Sequence, residues 1–227
     1  MAKKKSKENP VKNVNVISSL TEKDEIYKAA YRDLIFFGRA FLPNDFLNKS
    51  GTPDFHRDVA NKLCFGAKGK RQFIAWIGEE QGQAIDHLKY LKNHLEVNKT
   101  IKYYFGDLAG DSAGKRWTEK DIVTAKGDRI IAKGTSQRLR GRTEVDVRYT
   151  GIILDDFESE LNTKTPERRS EIKKWVVSTV YPALEESPGN EGWIWLSGTI
   201  VHYDSFLQMI YEGANDAKKT KRKYPWT

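Results

Sequence analysis

The stretch Tyr149–Glu160 reads YTGIILDDFESE and sets four carboxylates, Asp155, Asp156, Glu158 and Glu160, at the end of a short apolar run. Side-by-side carboxylates repel each other unless a cation or a proton relieves them. The pair therefore suits cation handling; otherwise it is a solvated acidic turn after a strand. Other groups able to do chemistry are sparse. His56 stands beside Phe55, and His87, His94 and His202 show no metal-like spacing, so each reads as packing or surface. Cys64 is the sole cysteine, which excludes an internal disulfide and any multi-cysteine zinc site and fits a reducing cytoplasm.

The residues before the acids, Gly151-Ile152-Ile153-Leu154, have the composition of a strand buried on both faces. Such a strand delivers the next residues of the chain to the carboxyl edge of a sheet, where open α/β folds bind ligands. Further strands are expected at Gln72–Trp76, Ile101–Phe105, Arg129–Ala132 and Trp193–Leu196. Thr21-Glu22-Lys23-Asp24 resembles a capping box, and Ile26, Ala30, Leu34, Phe37 and Phe41 then mark one helical face ending near Pro43. A second helix is expected from about Pro53, with Phe55, Val59 and Leu63 inward. A third covers Gln81–Glu96, with Ala84, Leu88, Leu91 and Leu95 on one side. Thr165-Pro166 opens a helix carrying Ile172, Trp175, Val176 and Val180. A final helix is expected over Tyr203–Tyr211, a loop over Gly106–Lys115, and a short helix or turn over Trp117–Thr124. Strands and helices alternate, which predicts an α/β fold with a largely parallel sheet flanked by helices.

At 227 residues the chain can bury a substantial single core. Its formal charge of +8 suits a polyanionic partner. Residues 1–20 read as a flexible basic tail, 21–217 as the core, and 218–227 as a basic tail or hinge. No apolar run has the length of a signal peptide core or a membrane span, so a soluble chain is expected.

Three segments in order carry a family resemblance: Leu139-Arg140-Gly141-Arg142, Ile152-Ile153-Leu154-Asp155-Asp156 and Ser197-Gly198-Thr199. With Trp117…Gly127 and Gly134-Thr135-Ser136-Gln137 they resemble the ATPase domain of large terminase subunits, the DNA-packaging motors of tailed phages. The likeness covers most of residues 30–215. It implies a P-loop NTPase-like sheet, with ATP and Mg²⁺ as cofactors and double-stranded DNA driven into a capsid. It further implies a homo-oligomeric ring with portal protein and small terminase subunit as partners, in the cytoplasm of an infected bacterial host. By position, Asp155 would be the Walker B acid holding Mg²⁺ through water. Asp156 would be the catalytic acid, with Glu158 as a nearby substitute because Asp is shorter than the family's usual Glu. Arg140 matches the arginine that contacts phosphates, a role suited to a guanidinium. Ser197, Gly198 and Thr199 match the segment that senses the γ-phosphate, and Phe55 with His56 the border of the adenine pocket.

The phosphate cradle is what this chain lacks. A P-loop needs a Gly-rich turn ending in Lys-Ser/Thr between strand and helix, because its amides and its lysine neutralise the phosphates. After Gln72–Trp76 stands Ile77-Gly78-Glu79-Glu80-Gln81-Gly82-Gln83-Ala84, which resembles the exit of the family's next strand. The chain reads as spliced between Trp76 and Ile77, at the loss of a βαβ unit of about 30 residues. Ala109-Gly110-Asp111-Ser112-Ala113-Gly114-Lys115-Arg116 is a poor substitute: Arg116 replaces the metal-binding Ser/Thr, and Asp107 and Asp111 would repel phosphate. Gly66–Lys70 precedes its strand and points at the wrong edge. The expectation is a terminase-type ATPase domain with little activity, without the family's following nuclease domain. The rivals are a catalytically inert DNA- or motor-binding relic and a helicase-type ATPase of another branch.

Overall fold

The computed structural model describes residues 23–42, 71–110, 116–139, 148–187 and 191–220. Its first elements are helices α1 (Lys23–Arg32) and α2 (Leu34–Phe41), strand β1 (Phe73–Gly78), and helices α3 (Gln81–Val97) and α4 (Lys99–Phe105). There follow β2 (Asp121–Val123), β3 (Arg129–Gly134), β4 (Gly151–Asp155), α5 (Pro166–Trp175), β5 (Trp193–Ser197) and α6 (Phe206–Thr220). They fall into two compact units, Met1–Gly69 with His94–Leu108, and Lys70–Asn93 with Ala109–Thr227. The expected tail, the helix from Pro53, the Gly66–Lys70 turn, Asp111–Lys115, and the site residues Phe55 and Arg140 lie outside the described residues.

In the first unit, the single helical face expected from Ile26 to Phe41 is two helices. The Asp33 carboxylate accepts from the Phe36 amide at 3.0 Å, so it ends α1 and caps α2. The expected strand Ile101–Phe105 is helical, which corrects a reading made from its β-branched and aromatic composition. Asn98 is the reason: its Oδ1 accepts from the Thr100 and Ile101 amides at 3.0 Å each, and its Nδ2 donates to the Phe41 carbonyl at 2.8 Å. Helical spacing then places Ile101, Tyr104 and Phe105 in one cluster with Ile26, Ala30, Phe37 and Phe41. Phe41 meets Tyr104 and Phe105 edge-on, each at 5.3 Å between ring centres.

The second unit is an α/β fold built on a five-stranded mixed sheet of order β2-β3-β1-β4-β5. The pairs β3·β1, β1·β4 and β4·β5 are parallel and β2·β3 is antiparallel. The short helix or turn expected at Trp117–Thr124 is instead the hairpin partner of β3. Trp117 bridges to Ile122, and Arg129 clamps Asp121 with bonds of 2.9 and 2.8 Å. β1 runs without a break through Trp76 and Ile77. Trp76 pairs with Ala132 and Ile153, and Ile77 with Lys133 and Leu154.

Side-chain alternation along β1 divides the core between two faces. Phe73, Ala75 and Ile77 join Ile152, Leu154, Ile172, Val176, Val180 and Phe206 on the face covered by α5 and α6. Trp76 joins Ala84, Leu88, Ile122 and Ala132 on the face covered by α3. Thr165 caps α5 through the Arg168 amide, as its Thr-Pro pair predicts. The helix then passes into a π-turn at Val176–Val180.

Candidate functional site at the carboxyl edge of the sheet

The chain leaves β1 through α3 to reach β3 on one side, and leaves β4 through α5 to reach β5 on the other. Because α3 and α5 lie on opposite faces, the boundary between β1 and β4 is the switch point of the sheet, the place where such folds bind ligands. The Thr135 hydroxyl spans the two exits there, within reach of the Gly78 and Phe157 carbonyls. Asp155 is the last residue of β4, in register with Ser197 at the tip of β5. The expected acidic strand end and the Ser197-Gly198-Thr199 segment therefore meet.

Alternation turns Asp155 toward the α3 face. Ser197 Oγ donates to its Oδ1 at 2.6 Å, and Trp76 Nε1 reaches its Oδ2 at 3.4 Å. His87, on α3, brings Nε2 to 3.6 Å from the same Oδ2 while its ring stacks on Trp76 at 5.0 Å and 12°. The Asp155 and His87 side chains remain 27% and 51% exposed. Periodicity along the sequence gave His87 no role; the one available signal was its place on α3, one turn beyond Ala84 and beside the inward-facing Leu88.

Asp156 differs in every respect. Its backbone is left-handed, with φ 43°, and its amide donates to the Ser197 carbonyl at 3.0 Å. The side chain is exposed, and no described group pairs with its carboxylate. Gly198 follows with φ 154°, and Thr199 is exposed beside it.

Glu158 is 4% exposed and fully engaged. Oε1 accepts from the Phe206 amide at 2.7 Å and Oε2 from the Leu207 amide at 2.9 Å. The carboxylate thus sits on the amino end of α6, where the helix dipole and the free amides favour a negative charge. Both oxygens are occupied, so the geometry makes Glu158 a cap rather than a stand-in for Asp156. Behind it, Asp204 is held by Lys173 Nζ at 2.5 Å and Arg169 Nε at 3.0 Å. These hydrogen bonds, that from Lys173 foremost, keep the Asp204 carboxyl below the usual carboxylate range.

The exit of β1 has another character. Thr135, after β3, donates its amide to the Gly78 carbonyl at 3.0 Å, and its hydroxyl lies 3.1 Å from that carbonyl and 3.0 Å from that of Phe157. The Glu79 amide is taken by Gln83 Oε1 at 3.0 Å, and the Glu79 carboxylate accepts from Ser159 Oγ. A cavity of about 310 Å³ opens here between Glu79, Glu80, Ser136, Asn162, Arg168 and Glu171. Neither Asp155 nor Asp156 lines it. A triphosphate does not fit this exit: two carboxylates stand where phosphates would need a lysine, and an amide that a phosphate would use is already bonded. A metal ion fits Asp155 better, since one face of its carboxylate is open to solvent and Ser197 fixes the other. Among the described residues no three His, Cys, Asp or Glu side chains group as metal ligands, and no helix is long and apolar enough to cross a membrane.

The segment before Arg140 is pinned in place. Trp175 Nε1 donates to the Gln137 carbonyl at 3.1 Å, and the Tyr149 hydroxyl to the Leu139 carbonyl at 2.6 Å. Compared with protein-family models and with curated proteins, the chain matches none.

Proposed function

We propose that this chain is an ATPase-type domain of the large-terminase class, a P-loop NTPase-like sheet from a phage DNA-packaging motor, in a form that does not grip a nucleotide. The observation that carries the reading is the meeting of Asp155 with Ser197 at the neighbouring tips of β4 and β5. The three resembling segments stand out by their order along the chain, and two of them converge at one sheet edge. In this form the domain's own residues hold a carboxylate open to a cation at Asp155 and present a second at Asp156 that has no partner among the described residues. The acidic exit of β1 favours an inert role, with double-stranded DNA or the motor's other proteins as partners and the +8 charge as the source of affinity for DNA.

Two assays on the 227-residue chain test this reading. Magnesium-dependent ATP hydrolysis is expected to stay at background, and double-stranded DNA is expected to be retained at low salt and released as salt rises. Turnover that disappears in Asp155→Ala would overturn the inert form. Failure to retain DNA at low salt would remove the packaging-motor reading.

A further inference from the structure

We propose that His87 and Asp155 form a binding site for a bare divalent cation of the imidazole-preferring class, such as Zn²⁺ or Co²⁺, filled without nucleotide. The separation of His87 Nε2 and Asp155 Oδ2, 3.6 Å, is too long for a hydrogen bond. It is close to the spacing of about 3.4 Å between two donors on one tetrahedral ion with bonds of about 2.1 Å. Both donors are already oriented. The His87 ring lies flat on Trp76, and the Ser197 hydroxyl holds the far oxygen of Asp155. Outer contacts of this kind set the direction of metal ligands and raise affinity. Two protein donors leave the remaining positions of a four-coordinate ion to water, one fewer protein ligand than the three usual in catalytic zinc sites. An imidazole nitrogen among the ligands shifts preference away from Mg²⁺, which takes oxygen donors, toward the later divalent metals.

The proposal rests on Asp155 being the metal-handling acid and is independent of DNA binding. The full chain is titrated with Co²⁺ in the absence of nucleotide, followed by the visible absorption of the ion and the imidazole resonances of His87. A saturable signal is expected, displaced by Zn²⁺ and not by the same concentration of Mg²⁺. His87→Ala and Asp155→Asn should each weaken it by at least about tenfold, and Ser197→Ala by roughly tenfold. His87 is half exposed, so its truncation leaves the core intact. No saturable signal overturns the proposal, as does one that survives both His87→Ala and Asp155→Asn. DNA retention without Co²⁺ binding sinks this inference alone; Co²⁺ binding without DNA retention sinks the packaging reading alone.

Discussion

Two strand ends share one edge of the sheet, and they have been put to different uses. At β4 the polar groups are sorted: Asp155 is oriented by Ser197, Asp156 has no partner among the described residues, and Glu158 is buried on α6. At β1 they are tied off: Thr135 bonds the Gly78 carbonyl, Gln83 takes the Glu79 amide, and Ser159 takes the Glu79 carboxylate. The contrast teaches that a strand end becomes a site when some of its carboxylates are relieved of structural work. Where a group already has an internal partner, a ligand must first displace it.

The largest expected effect comes from reversing that sorting. Glu158→Ala should destabilise the second unit by about 3 kcal/mol, because it removes two charge-assisted bonds and strands two amides at a buried helix end. Urea unfolding followed by the tryptophan signal measures it, and a loss below about 1 kcal/mol would mean that the cap is dispensable. Next is the tied exit. A Cβ at Gly134 would sit 2.8 Å from the Gln81 amide nitrogen. Gly134→Ala should therefore cost about 2 kcal/mol by forcing β3 and the start of α3 apart.

Asp204 gives an acid-range test with a defined sign. Its folded carboxyl titrates below the unfolded one, so its contribution is present above the unfolded value, about 3.9. It is lost as pH falls through the lower folded value. Melting temperature measured downward from about pH 5 should fall more steeply in the wild type than in Asp204→Asn; parallel curves would remove Asp204 from the account. The smallest effect sharpens the contrast most. Asp156→Gly should stabilise the fold by about 0.5 kcal/mol, since relief of the left-handed backbone outweighs glycine's entropy loss by little. A loss of stability there would show that the Asp156 side chain holds structure rather than awaiting a ligand.

Much of the second unit was legible because its strands carry their own signals. Gly151–Leu154 and Trp193–Leu196 are apolar and β-rich, and Thr165-Pro166 announces a helix from two residues. Ile101–Phe105 misled because Ile, Tyr and Phe suit a strand locally, whereas the Asn98 cap and an aromatic cluster assembled from distant helices decide otherwise. Trp117–Thr124 misled for the opposite reason: its polar turn residues obscured a pairing that only β3 could supply. In the candidate site, Asp155 and Ser197 could be read from strand ends. His87 could not, because nothing local says that α3 will pass over Trp76. Glu158 looked available in sequence since the amides that occupy it belong to Phe206 and Leu207, far along the chain.

β1 passes through Trp76 and Ile77 while bonded to β3 on one side and β4 on the other. A longer relative carrying a further strand at that junction would have to part those neighbours by about 4.8 Å, one strand spacing, and rebuild both ladders. The present sheet is closed over that place, so such a segment cannot be added as a surface insertion. Gaining it would mean refolding the centre of the sheet.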